Sequence, residues 1–491
     1  MVSKRSAERP GFVNREAELV ELRRLVSRGR PALALLYGRR RVGKTFLLDH
    51  AWQDGRFFYF LAGDTTGELN KRDLLQEIAA FLPEQDEADP ALYPTWRHIF
   101  RLFADLASDG PFVVVLDEFQ HLLGKDEDIA SQLMAVWDRE LKGRPLILVA
   151  CGSEVSTMQN LQSGAGPLYG RWDWAARLRP FDYLNSALMT PGRSLREKAL
   201  IYGIFGGTPR YLASIQPGES LSQRVTDSIL SPRGEIHIQL ERIIEQEKGI
   251  RDPAEYRAVL TAVANGASLL NEIANSAGLQ DRPHVVRRAL EVLEDLELIW
   301  RERNFESGTR TPYRYRILDN AVSFWYRFVY PHRSRLETGD VHEVWKRYVE
   351  GYLDDYMGKI FEGICREAFG SEHVRRGVPG AREVARWEGK DKNRRDIEID
   401  FVARLDDERV LTGEVKWSSK PVGQHLHWQL RRDLEDLARS GSGWAADALD
   451  VEKSAGHIFF SAAGFESGFE ALAEQDPSIR LVDLEDIYAR E

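Results

Sequence analysis

The sequence predicts an α/β protein. A helix-flanked parallel sheet comes first, small helical units follow it, and a second α/β domain ends the chain. Three observations predict it. Short apolar runs, Leu33–Tyr37, Phe57–Leu61, Phe112–Leu116 and Leu146–Cys151, alternate with helical patterns. A glycine-rich turn joins the first run to a helix. Far downstream, Ile397–Ala403 and Val410–Trp417 alternate apolar and charged residues across an Asp406-Asp407 turn. Buried parallel strands read as continuous apolar runs, whereas alternation with period two marks strands with one polar face.

At about 150 residues per domain, 491 residues suggest three or four domains. Five regions are expected: a nucleotide-binding core at 1–190, a helical lid at 191–250, a small helix-and-hairpin domain at 251–318, an aromatic connector at 319–344, and the last α/β domain at 345–491. With 43% hydrophobic residues there is material for several cores. The two cysteines, Cys151 and Cys365, lie far apart; this points to a reducing cytoplasm and excludes a cysteine zinc cluster. Met1-Val2-Ser3-Lys4-Arg5 is not followed by an apolar run, so no signal peptide is expected. No stretch approaches the roughly 18 apolar residues of a membrane span. The net charge of −10 argues against a protein coated in nucleic acid, while leaving room for local basic patches.

Leu33–Tyr37 runs into Gly38-Arg39-Arg40-Arg41-Val42-Gly43-Lys44-Thr45, and Phe46-Leu47-Leu48 opens a helix. Glycines let backbone N–H groups curl around phosphates at a helix N-terminus. Gly38 and Gly43 shape that loop, Lys44 meets the β and γ phosphates of ATP, and the Thr45 hydroxyl is a magnesium ligand. A second half of the site follows Phe112–Leu116, where Asp117 and Glu118 stand at the strand's C-terminal end. Asp117 is the water-mediated magnesium ligand of this reading, and Glu118 polarises the attacking water.

These residues carry a resemblance. Phe12-Val13-Asn14-Arg15-Glu16, the phosphate loop and Leu116-Asp117-Glu118-Phe119-Gln120 stand in an order that resembles archaeal-type AAA+-like ATPases related to the STAND signalling NTPases. Cys151-Gly152-Ser153, Pro167-Leu168-Tyr169-Gly170-Arg171 and Gly206-Gly207-Thr208-Pro209-Arg210-Tyr211-Leu212 extend the likeness over about the first 330 residues. The resemblance implies an AAA+-like core with a helical lid. It places Ser153 where a polar sensor reads the γ-phosphate, and makes Arg171 or Arg177 the arginine finger. A finger acting in trans implies a homo-oligomer. The chain departs from the family at Trp172-Asp173-Trp174, where a compact basic stretch is usual.

In the third region, Tyr256–Ala264, Leu269–Ala277 and Pro283–Leu296 read as helices. Leu298-Ile299-Trp300 and Tyr313–Ile317 flank a turn at Ser307-Gly308. Helix, turn, helix, hairpin is the order of a winged helix. Arg282, His284, Arg287 and Arg288 fall near the start of the third helix, Arg301, Arg303 and Arg310 on the wing. Two roles stay open: contact with DNA through Arg287 and Arg288, or relay of the ATPase state by packing.

The last domain concentrates acids. Gly358–Cys365 reads as an amphipathic helix carrying Glu362. Asp400 lies on one strand of the expected hairpin; Glu414 and Lys416 share a face of the other. Asp400, Glu414 and the Val415 carbonyl suit one or two magnesium ions, Glu362 joins from the helix, and Lys416 acts on water or phosphate. The arrangement resembles the PD-(D/E)xK nucleases, and Gly456–Ala462, Gly464-Phe465, a helix and Ile479–Leu484 resemble their Mrr and Holliday-junction resolvase branch. That likeness implies a restriction-endonuclease-like fold and Mg2+-dependent cleavage of DNA, with Mn2+ as an alternative ion. The basic residues Arg375, Arg376, Arg382, Arg386, Lys390, Lys392, Arg394 and Arg395 precede the site; they read as a grip on a phosphate backbone or as a solvated face balanced by the many acids nearby. The leading expectation is an ATP-driven or ATP-gated DNA nuclease. Its rival is a STAND-like regulatory ATPase whose C-terminal domain binds without cutting.

Overall fold

The computed structural model describes residues 12–52, 55–81, 90–123, 129–141, 143–164, 166, 168–245, 250, 252–308 and 311–490. The expected wing residue Arg310 and Pro167 of the resemblance lie outside them, as do residues 1–11. Two compact units emerge: 1–181 with Thr208–Arg210, and 182–207 with 211–491.

The first unit is built on five strands: β1 Ala32–Tyr37, β2 Phe57–Leu61, β3 Phe112–Asp117, β4 Leu146–Gly152 and β5 Trp174–Arg177. All pairings are parallel, in the order β2-β3-β4-β1-β5. Residues of β1, β3 and β4 alternate between two cores. Leu33, Leu35, Val114 and Leu148 face one; Ala34, Leu36, Val115 and Val149 face the other. Burial on both faces is why these strands are apolar throughout.

β5 is the strand that apolar patterning missed, and it begins inside the Trp172-Asp173-Trp174 departure. Asp173 donates its N–H to Leu33 O at 2.8 Å, and its carboxylate accepts the Leu33 N–H at 3.1 Å. An acid thus anchors the entry to an edge strand only four residues long.

The second unit holds helices Leu195–Phe205, Pro253–Ala264, Leu270–Ser276 and Pro283–Asp295, then the antiparallel pair β6 Ile299–Glu302 and β7 Arg314–Ile317. Pro at the first turn starts Pro253–Ala264 and Pro283–Asp295, where a missing N–H costs nothing. After them come helix Leu353–Ala368 and a five-stranded sheet: β8 Ala381–Lys390, β9 Asp396–Leu405, β10 Val410–Lys416, β11 Ser454–Ser461 and β12 Ile479–Val482. The order is β12-β11-β10-β9-β8; β10, β11 and β12 are parallel, while β9 pairs antiparallel with both β10 and β8. Gly413 is required where β10 meets β11, because a Cβ there lies 2.0 Å from the Ile458 carbonyl oxygen. Helix His425–Arg439 packs Leu430, Leu434 and Leu437 onto this sheet.

The β6–β7 hairpin joins that domain. Phe305 lies in the sheet's core, its N–H donates to Arg386 O at 2.9 Å, and Asn304 Nδ2 donates to Glu388 O at 2.6 Å. No helix among the described residues is long and apolar enough to cross a membrane.

Candidate functional site

The first candidate site lies at the C-terminal end of the parallel sheet. β1 leads into Gly38–Gly43, and helix Lys44–Ala51 starts directly after Gly43. Both glycines are demanded. Gly38 has φ 152° and a Cβ on it lies 2.2 Å from the Leu178 carbonyl oxygen, and Gly43 has φ 94°. Lys44 is buried, and its ammonium donates to the Gly38 carbonyl at 2.8 Å and the Arg39 carbonyl at 3.1 Å, so a cation is held at the mouth of the loop.

β4 lies between β1 and β3, which sets its end, Gly152 and Ser153, between the loop and the acids. Asp117 is buried. Its Oδ1 accepts the Glu118 N–H at 2.8 Å; its Oδ2 accepts from the Thr45 hydroxyl at 3.4 Å and from the Tyr59 hydroxyl. Thr45 and Asp117 thus meet as two hard oxygen donors, the chemistry magnesium favours. Glu118 takes φ 52°, turning its side chain off the strand. Its carboxylate accepts from Ser153 Oγ at 2.7 Å and from Gln120.

Tyr59 was not singled out from the sequence. On β2 its period-two position beside β3 was readable, but the apolar run disguised its polar end. Burial, followed by the Asp117 carboxylate, pushes the phenol's pKa up and keeps it a neutral donor. Tyr59→Phe removes only that donor. The expected result is a roughly tenfold rise in the magnesium needed for half-maximal ATP hydrolysis, with ATP affinity little changed. A magnesium titration at fixed ATP checks it, and an unchanged midpoint removes Tyr59 from the site.

The two candidate fingers part company. Arg177 ends β5 level with Tyr37, over whose ring it sits at 5.9 Å from the centroid, at the phosphate-loop end. Arg171 precedes Asp173 at the opposite end of the sheet, where Asp138 binds it at 2.8 Å. Five residue steps of β1 separate those ends, roughly 16 Å. Arg171 therefore does not reach this chain's own phosphate loop, whereas Arg177 stands at that end.

The second candidate site lies in the C-terminal sheet. Lys416 Nζ contacts Asp400 Oδ2 at 3.0 Å and Glu414 Oε2 at 2.7 Å. Asp400 Oδ2 also accepts the Val415 N–H at 3.1 Å. Asp400, Glu414 and Glu362 are all buried. Burial, reinforced by Asp400, pushes the Glu414 carboxyl well above its ordinary range. Burial alone lowers the Lys416 amine, but Glu414 and Asp400 outweigh it and hold the amine charged.

Helix Leu353–Ala368 supplies Glu362, and β9 supplies Glu398. Oxygens of Glu362, Glu398 and Asp400 lie within 4.8 Å of one another, a hard-donor set that fits Mg2+ or Mn2+. Glu398 was missed, although its place two residues before Asp400 on a strand signalled it. Glu362 is flanked by Arg316 at 3.5 Å and Arg366 at 3.6 Å, while Arg386 binds Glu398. Burial raises the Glu362 pKa, and Arg316 opposes it most.

The upstream basic residues are mostly exposed, with Arg386 the buried exception, and most of them are balanced by acids. Arg382 and Arg386 lie on β8 and pair with Glu408, Glu388 and Glu398; Lys390, at its end, pairs with Asp396. Arg395 binds Asp433 and Asp436, each at 2.7 Å, and Arg376 binds Asp486. Arg394 is exposed on a tight turn at φ 64°. Arg287 and Arg288 are exposed on helix Pro283–Asp295 and make no ion pair among the described residues; Arg282 pairs with Glu255, and Arg301 with Glu294.

Comparison with known proteins adds to this geometry. An uncharacterized protein of Methanocaldococcus jannaschii is 26% identical over 416 residues, covering 83% of this chain and 87% of that one. Among solved structures, a Walker-type ATPase of Pyrococcus abyssi aligns with TM-score 0.49 at 21% identity, over 65% of this chain and 99% of its own. The ORC2 protein of Aeropyrum pernix aligns with TM-score 0.42 at 13% identity, over 68% and 97%. Residues 325–426 match a family described as Archaea bacterial proteins of unknown function. Residues 12–215 match the family described as an ATPase domain predominantly from Archaea, and that stretch, with the phosphate loop and the acid pair, is an archaeal-type ATPase domain.

Proposed function

We propose that this chain hydrolyses ATP with Mg2+ in its N-terminal domain and cuts DNA at Asp400, Glu414 and Lys416, in the cytoplasm. The observation that carries the reading is the meeting of two buried carboxylates and a charged lysine on adjacent strands. A divalent ion supplies a lowered water pKa and charge neutralisation at the scissile phosphate. Asp400, Glu414 and Glu362 hold that ion, and Lys416 orients the water or meets the developing charge. On this reading the mixed sheet is a restriction-endonuclease-like domain, and the three helices with the β6–β7 hairpin are a winged helix. At the first site Lys44 holds the β and γ phosphates, Glu118 takes the proton of the attacking water, and Ser153 reports the γ-phosphate through Glu118. Arg177 serves as finger within the chain, and Arg171 in a homo-oligomer. The test is incubation of purified protein with supercoiled and branched DNA, with Mg2+ or Mn2+, with and without ATP. Absence of cleavage in every condition overturns it.

A second reading keeps the C-terminal domain as a DNA-binding module that does not cut. What favours it is that Glu362 and Glu398 are both held by arginines. Binding without cleavage selects it.

Contact of the winged helix with DNA has its own test. Arg287→Ala with Arg288→Ala is expected to weaken DNA binding and to flatten its logarithmic salt dependence by about one unit per lost phosphate contact. Anisotropy across a salt series measures both. Unchanged affinity with altered ATPase activity assigns the domain a relay role instead.

A further inference from the structure

Arg316 is the one residue of the β6–β7 hairpin that touches the acid cluster among the described contacts. It stands on β7, opposite Trp300 of β6. Its guanidinium lies between two carboxylates. Nε faces Glu302 of the same hairpin at 2.5 Å, and Nη2 faces Glu362 of the cluster at 3.5 Å. The hairpin is fixed there by Phe305 and Asn304, which donate to carbonyls of β8, and by Arg314, which binds Glu388 at 3.0 Å. Glu362 is one of three acids whose oxygens come within 4.8 Å, so a positive charge already stands on the face a divalent ion has to use. A dication and a guanidinium held by one buried carboxylate repel each other strongly, since a buried site screens charge poorly.

We propose that Arg316 is a resident cation of the acid cluster, holding Glu362 while the hairpin is docked, so that a divalent ion binds fully only when Arg316 withdraws. The inference rests on the reading of the cluster as a metal site. It adds that the small helical domain governs that site through one side chain. Glu302 already pairs with Arg316 on its own hairpin, and at the shorter distance, so withdrawal from Glu362 leaves the guanidinium paired. Arg366, on the same helix as Glu362, stays with the cluster in either state.

The test is Mn2+ binding to the nucleotide-free full chain, followed by electron paramagnetic resonance. Asp400→Asn identifies the ion that belongs to the cluster. Arg316→Gln is expected to tighten that ion about tenfold, within the usual range of coupling between sites. Arg316→Lys, shorter and unable to face both acids, is expected to fall between. Equal or weaker Mn2+ affinity in Arg316→Gln overturns the proposal, and so does the absence of any Asp400-dependent ion in both proteins. If circular dichroism finds Arg316→Gln unfolded, Arg316→Lys decides, and wild-type affinity there overturns it. Cleavage is scored separately. An affinity shift without DNA cutting keeps the inference and removes the nuclease, whereas cutting with no shift does the reverse.

Discussion

Glu118→Gln is expected to leave ATP bound and to slow its hydrolysis about a hundredfold or more, the usual contribution of a positioned general base. The amide matches the carboxylate in size and keeps an oxygen to accept from Ser153 Oγ, so the local geometry is preserved while basicity is lost. Position 118 also keeps its φ of 52° in either variant, because the side chain changes only at its tip. Lys44→Ala is the contrasting variant. It removes the cation that bridges the Gly38 and Arg39 carbonyls and meets the phosphates, so affinity for ATP falls together with turnover. Equilibrium binding of a fluorescent ATP analogue and phosphate release, measured on both proteins, separate the two effects. Hydrolysis by Glu118→Gln at the wild-type rate removes Glu118 from the mechanism.

The parts of the molecule legible in the sequence are those where one physical rule governs a run of residues. Strands β1, β3 and β4 are buried on both faces, so they were apolar and visible, and β2 was visible as an apolar run although it is an edge strand with one face partly open. β5 was not, because it is short and directly follows Asp173, whose carboxylate serves the backbone of β1. The phosphate loop was visible because its glycines and lysine suit phosphate binding at a helix N-terminus, and because an acid pair follows a second apolar strand. Asp400, Glu414 and Lys416 were visible through the alternation of β9 and β10. Tyr59 and Glu398 obeyed the same alternation but lay among residues whose hydrophobicity or charge had another evident reading. β8 was hidden for a different reason. Its arginines were counted as positive charge, and their partners Glu398 and Glu408 come from the following strand and its turn. Pairing between strands is tertiary, and composition along one segment does not report it. The separation of Arg171 from Arg177 has a local cause instead: Arg177 ends β5 beside the end of β1, and Arg171 precedes that extended segment, beside the start of β1.

Asp400→Asn and Glu414→Gln are each expected to reduce metal-dependent DNA cleavage by about a hundredfold or more while ATP hydrolysis continues at the wild-type rate. Both substitutions keep side-chain volume, which matters because both residues are buried and Asp400 also accepts the Val415 N–H. Each leaves a hard divalent ion one anionic oxygen short. Lys416→Ala is expected to impair cutting without removing the ion, since the ammonium contributes no anionic oxygen and contacts the carboxylates instead. It has a second consequence. Asp400 and Glu414 lose the charge that neutralises them, so two buried acids repel and the domain is destabilised. Thermal unfolding must therefore accompany the cleavage assay, and Lys416→Gln, which keeps a hydrogen-bond donor, separates lost chemistry from lost stability. A nicking and linearisation assay on supercoiled and branched DNA, run beside ATPase rates, gives the pattern that decides. Cleavage lost in all the variants with ATPase intact places the chemistry at this cluster. Cleavage that persists in Asp400→Asn comes from other residues or from another protein, and the proposed nuclease site is then abandoned.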